Sequence, residues 1–344
     1  MSATTTAARV SGESNPIRRR RTVTLVLLLA TVILALVGLR FGDDPMSLGE
    51  VLAAIAAGPD GGYQSTVVLL WRAPRVVGAI CFGAALGIAG ALFQTLTRNP
   101  LGSPDIIGFT TGAYTGAIIS VTVVGTAFMS TATGALLGGF ATAVVVYLLA
   151  YRGGLSGFRL IIVGIGVTAM LSAFNTWLLL RAQTEVAMTA SIWGAGSINL
   201  VSWSAAAPVL ITLAVLAPVV MLTAPSLRQL ELGDDAARAH GVAVEPVRLL
   251  VLAVGVALTA TVTAAAGPIA FIALVAPQVA HRLTRSAGLP LLGSALVGGM
   301  LLLLADLAAQ FVVPMPVPVG AVTVVVGGLY LIALLVVEAR RRRS

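Results

Sequence analysis

The chain has 344 residues, of which 58% are apolar and only 10% charged. A soluble domain carries roughly 25% charged residues, so this chain can cover its surface only with lipid. All 21 basic residues are arginine, and a phosphate loop ending in G-K-[ST] needs a lysine that is absent. An ordinary P-loop ATPase is thereby excluded, and active transport would need a partner or an ion gradient for energy.

The formal charge of +8 comes without an aromatic-studded basic patch, so nucleic acid is not an expected partner. Arginines at 18–21 and 340–343 flank apolar stretches instead, the pattern of cytoplasmic anchors at a membrane face. Cys81 stands alone and has no disulfide partner. It reads as a small buried hydrophobe.

Residues 1–21 are expected to form a disordered cytoplasmic tail. The apolar run that follows is too long for a signal peptide and reads as a retained span. Taking about 20 apolar residues per crossing, ten spans are predicted: 22–40, 74–95, 105–126, 130–150, 159–180, 204–223, 248–266, 268–283, 290–312 and 320–339. The eighth is short and opens at Gly267-Pro268, so it reads as broken or partly inserted. With the N-terminus inside, 17 arginines fall on the cytoplasmic side and 4 outside, which fits an even number of spans with both termini cytoplasmic. The predicted fold is an all-α, multi-pass integral membrane protein. Residues 22–340 form one permease-like domain, and a basic tail occupies 341–344.

Two connections are long. Residues 41–73 lie outside and contain the turn-rich Gly58-Pro59-Asp60-Gly61-Gly62. Residues 224–247 lie inside. Within them Leu232, Gly233, Asp234, Asp235, Ala236, Ala237, Arg238, Ala239, His240 and Gly241 read as a short helix. Asp234 and Asp235 fall where the dipole favours acids, Asp234 is spaced to pair with Arg238, and Gly241 and Pro246 suit a stop. This segment fits either a solvated loop or a rigid lever that passes movement from a soluble partner to the spans.

Arg72 and Arg75 flank Pro74 at the outer mouth of the second span. One turn apart, they would project together, either to snorkel to headgroups or to pair with acids of an external protein. The turn from Arg98 to Asp105 reads as structural. Gly164, Thr168, Ser172 and Asn175 share one face of the fifth span, fitting a weakly polar path or interhelical hydrogen bonding. Asp306 is the one carboxylate deep in a predicted span, a candidate for ion coupling or for bracing helices. His240 and His281 have no ligand partner at helical spacing, so no metal site is expected. No nucleophile–base constellation is visible, and enzyme chemistry is not expected.

Six blocks in order resemble one family. They are WRAPRVVGAICFGAALGIAGALFQTLTRNPLGSPDIIGFTTGA, SIWGAGSI, LGDDAARAHGV, GPIAFIALVAPQVAHRL, LLLLADLAAQ and PVPVGAVTVVVGG. Together they are similar to the FecCD-type permeases of bacterial ABC importers for ferric siderophores, haem and cobalamin. Of these, the ferric-enterobactin-type branch is the most similar. The resemblance implies a permease of the cytoplasmic membrane that works with a second, identical or related permease. It implies a cytoplasmic ATPase dimer, which would bind the ATP, and an external substrate-binding protein. No cofactor is expected in this chain. The family's coupling helix falls on residues 232–242, its docking arginines on Arg72 and Arg75, and its pathway on Gly164, Thr168, Ser172, Asn175 and residues 191–197. The chain departs from the family at Gln278, at Gln310 and before Gly320. Docking is therefore expected to rest mainly on Arg72 and Arg75. The alternative function is an ion-coupled secondary transporter of a small solute, which would turn on Asp306.

Overall fold

A computed structural model describes residues 16–341, apart from positions 43, 126, 155, 287, 289, 313, 314 and 316. The expected tail over 1–15 and the end of the basic C-terminus lie outside the described residues. Residues 16–21 do not belong to a tail: the first helix, α1 (Pro16–Arg40), already includes them. The arginines there sit on a continuing apolar helix, so the chain has no reason to unravel at them.

The outer connection holds α2 (Leu48–Ala57) and α3 (Tyr63–Thr66), followed by a π-helical turn (Val67–Arg72) that runs into α4 (Ala73–Thr97). Ser47 and Glu50 close a reciprocal capping box at the start of α2. The turn-rich stretch 58–62 is a turn as expected, and the capping box with the apolar face of α2 adds a helix before it.

Next come α5 (Pro104–Ile107), α6 (Phe109–Val123), α7 (Phe128–Ala150), α8 (Gly157–Arg181) and α9 (Thr184–Gly194). The predicted third span is thus broken at Gly108, whose φ of 93° ends α5 in the left-handed region that glycine tolerates. Two long helices follow, α10 (Trp203–Glu231) and α12 (Val244–Ala266), with the short cytoplasmic α11 (Asp234–Ala239) between them. The last elements are α13 (Ile272–Thr284), α14 (Leu291–Phe311) and α15 (Val319–Arg341).

Each predicted span therefore has a helix. Seven of the described helices are long and apolar enough to cross a membrane unaided. At 15 and 13 residues, α6 and α13 fall short of that length and lean on their neighbours. The eighth span is short as expected, but unbroken once begun: α12 ends at Ala266, and α13 starts only after Phe271, whose φ is 69°. The sides are consistent. Arg19 donates to the Leu283 carbonyl at one face, and Arg72 donates to the Leu39 carbonyl at the other.

The core is organised around α4. In the segment that contains α4, 78% of the most apolar stretch is buried, against 11% in α1. Gly83, Gly87 and Gly90 lie on one face of α4, and a Cβ at any of them would strike backbone of Gly298, Ser294 or Ala273. Their lack of side chains lets α14 and α13 approach α4 backbone to backbone. Phe82, Leu86 and Phe93 fill the flank beside that face and are all but inaccessible. Cys81 is half-buried.

Candidate functional site

Two groups of polar residues stand out, one at each end of this bundle. At the cytoplasmic end, α10 runs on to Glu231 and a single turn separates it from α11. Gly233 takes φ 119°, which only glycine adopts without strain, and lets the chain reverse. At the far end, Gly241 has φ 79° and donates to the Arg238 carbonyl, as its spacing predicted. Pro246 plays a different part from the one expected. It falls in the first turn of α12, where proline is tolerated, and so it opens the next helix rather than stopping α11.

The predicted pairing of Asp234 with Arg238 is not observed. Asp234 meets Arg98, from the end of α4, and Arg248, from the first turns of α12, at 2.7 Å. Arg98 also donates its Nε to the Leu230 carbonyl at 2.9 Å. Arg238 pairs instead with Asp235 at 3.2 Å, an exposed contact. The reason is burial: Arg248 is only 7% exposed and needs fixed anions, and it takes Asp234 at 2.7 Å and, more loosely, Glu245 at 3.6 Å. Burial works against the charge on Asp234, but the hydrogen bond from Arg98 and the charges of Arg248 and Arg98 outweigh it and hold its pKa below the usual carboxylate value.

The α11 segment is thus two-faced. Ala237 is fully buried and Asp234 is clamped, whereas Leu232, Asp235, Arg238, His240 and Gly241 are exposed. Sequence reasoning found the helix but missed its anchors, because it took the turn beginning at Arg98 as structural only. The one available signal was an arginine, Arg248, just inside a span and 14 residues beyond Asp234. In the same turn Asp105 proves to be a brace. It accepts from Thr110 at 2.7 Å and from the Phe271 backbone N–H at 3.3 Å, where α13 begins.

At the outer end, Arg72 and Arg75 do not project together. Arg72 folds back and donates to the carbonyls of Leu39, Arg40 and Asp44, tying the outer connection to α1. Arg75 turns inward to Asp306, which is 1% exposed, and also donates to the Asn199 Oδ1 at 2.6 Å. Gln310 donates to the same carboxylate at 2.8 Å. Asp306 therefore braces α4 against α14, and the ion-coupled carrier reading loses the free acid it requires.

The segment after α9 carries this network onward. The Ser197 N–H donates to the Ala266 carbonyl at the end of α12, and the Gly320 N–H to the Gly196 carbonyl near the start of α15. Tyr114 of α6 stacks on Trp193 at 6.0 Å and holds α9 in place.

The stripe on α8 divides. Gly164 is buried against Ile107, and Thr168 donates to the Gly164 carbonyl at 2.7 Å beside Gly108. Ser172 is exposed. Asn175 is buried, and its Oδ1 has no partner among the described residues. Among the described residues no cluster of His, Cys, Asp or Glu could hold a metal ion.

This arrangement has counterparts in known proteins. The FecCD transport family matches residues 27–337. The chain belongs to that family. It is 48% identical to the ferric enterobactin transport system permease protein FepG of Escherichia coli (strain K12), over 95% of this chain and 99% of the relative. It is 33% identical to a probable siderophore transport system permease protein, YfhA, of Bacillus subtilis (strain 168), covering 91% of this chain and 94% of that one. Among solved structures it resembles an inward-facing conformation of a metal-chelate type ABC transporter. The TM-score is 0.82 at 26% identity, over 92% of this chain and 99% of the other. The likeness to PsaBC of Streptococcus pneumoniae, at 16% identity and a TM-score of 0.54, is one of fold alone. As a FecCD protein this chain is a transport permease of the ABC type, a multi-pass protein of the cytoplasmic membrane.

Proposed function

We propose that this FecCD permease is the membrane conduit of an ABC importer for a ferric siderophore. In this reading it pairs with a second permease, a cytoplasmic ATPase dimer binds below, and a substrate-binding protein delivers cargo from outside. The observation that carries the mechanical part is the clamp of Asp234 between Arg98 and Arg248. A push on the exposed face of α11 passes through one carboxylate into α4, the central helix, and α12 together. The ATP belongs to the partner, since this chain has no lysine for a phosphate loop.

The conduit performs no covalent step. Movement of α4 and α12 would strain the outer network of Arg75, Asp306 and Asn199, which joins α4, α14 and the segment after α9. The α8 stripe with Ser172, next to Gly164, Thr168 and Asn175, is the proposed lining of the path. Weak contacts there suit a conduit, because a tight site would slow release. The siderophore class is supported by the names of the relatives. Reconstitution in liposomes tests the whole. The chain alone should accumulate no ferric siderophore, and the chain with its ATPase, binding protein and internal ATP should. Uphill uptake by the lone permease would overturn the reading.

A further inference from the structure

The cytoplasmic half of the bundle contains a cleft that shares only Leu232 with the residues assigned to transport. Both α10 and α14 pack on α4, yet they scarcely touch each other. Prolines 218 and 225 lie within α10 on this stretch, where a missing backbone donor lets a helix bend away from its neighbours. The result is a cavity of about 830 Å³ between α10 and α14, with α4 as its floor. That volume lies in the range of ligand sites, roughly 300–1,000 Å³.

We propose that this cleft binds one anionic phospholipid of the cytoplasmic leaflet. Its depth fits. The floor runs from Ala84 to Thr95 along α4, about 16 Å at 1.5 Å per residue, which is roughly half of a 30 Å hydrocarbon core. The walls are apolar over that depth, with Leu213, Ala217 and Val220 on one side and Leu291 and Ala295 on the other. Ala217 and Ala295, small residues on facing walls, leave room for acyl chains between them.

The charge also fits. Arg20 of α1 and Arg228 of α10 both line the cleft, and neither has a hydrogen-bond or ion-pair partner among the described residues. Both belong to the cytoplasmic ends of their helices, the depth of phosphate headgroups. One acid, Glu231, also lines the cleft, and Thr95 reaches it at 3.5 Å. Two free guanidinium groups against one engaged carboxylate leave a net positive mouth. A basic pocket between helices on the cytoplasmic side is the setting in which anionic headgroups are held. A zwitterionic lipid would satisfy the apolar walls but gain little from the arginines.

The full chain, with its co-purifying subunits, is placed in nanodiscs of equal phosphatidylglycerol and phosphatidylcholine with matched acyl chains. It is then released and read by native mass spectrometry. The wild type should retain phosphatidylglycerol over phosphatidylcholine by about tenfold or more. R20Q/R228Q should hold it roughly 30-fold more weakly, with phosphatidylcholine unchanged. Equal retention of the two lipids by the wild type overturns the proposal without need of any variant. So does undiminished selectivity in R20Q/R228Q.

Discussion

Arg75 grips Asp306 with one edge of its guanidinium: Nε donates to Oδ2 at 2.9 Å and Nη2 to Oδ1 at 2.8 Å. The pair crosses from α4 to α14, about two helical turns from the backbone contact that Gly83 makes with Gly298. A carboxylate that is 1% exposed cannot be left alone in such a place. Removing one partner of a buried pair costs about 3–5 kcal/mol, and the partial exposure of Arg75 puts Arg75→Ala at the lower end. The double variant R75L/D306L should recover much of that loss, because no charge is stranded. Thermal unfolding in detergent of the wild type, both single variants and the double variant reads the coupling directly. Additive losses would show that the pair contributes nothing.

Docking of a binding protein is best tested at Arg72. An Arg75→Glu change would set a second acid against Asp306 and lower the amount of folded protein, so a loss of docking there would be ambiguous. Among the described residues Arg72 meets only backbone carbonyls, those of Leu39, Arg40 and Asp44. Arg72→Glu should weaken binding-protein association by tenfold or more while the permease and its ATPase still co-purify. Unchanged association, measured on immobilised transporter, would remove Arg72 from the docking surface.

The two faces of α11 give opposite expectations. Asp234→Asn removes the charge that Arg98 and Arg248 share, and it should lower transport per ATP hydrolysed, with ATPase binding retained. Replacing exposed Leu232 and His240 with Glu should instead weaken ATPase binding itself, and leave the stability of the permease within about 0.5 kcal/mol. The folded-state pKa of Asp234 is depressed. Its stabilisation is therefore present above the ordinary carboxylate range and is lost only as pH falls through the lowered value. Transport should show no step from this group near neutral pH. A step there that Asp234→Asn abolished would contradict the assignment.

Much of this was legible in the sequence, and the reasons differ by element. Most of the spans could be read because their apolar runs approach bilayer length, the short eighth excepted, and α11 because its acids, Gly233 and Gly241 mark both ends. Helix breaks inside spans were half-legible: Gly267-Pro268 announced itself, while Gly108 looked like any packing glycine. Long-range polar partners were not legible. The partners of Asp234 lie 136 and 14 residues away, and that of Arg75 lies 231 away. The i,i+4 rule offers Arg238, and only the fold places Arg248 closer. Arg72 and Arg75 were paired by spacing, yet the nearest carbonyls and carboxylate pull them apart.

The α8 stripe supplies the last prediction. Thr168 is wedged beside Gly108, so enlarging it tests packing and not the path. Ser172 lies one turn on and is exposed, so a large side chain there meets nothing within the subunit. Ser172→Trp should leave the stability of the isolated permease within about 0.5 kcal/mol of wild type. If α8 lines the conduit, uptake in the assembled transporter should fall tenfold or more while basal ATP hydrolysis persists. If α8 faces lipid at this position, the indole is accommodated and uptake stays at the wild-type rate. That second result would move the path off α8 and leave Gly164 and Thr168 as packing residues against α5.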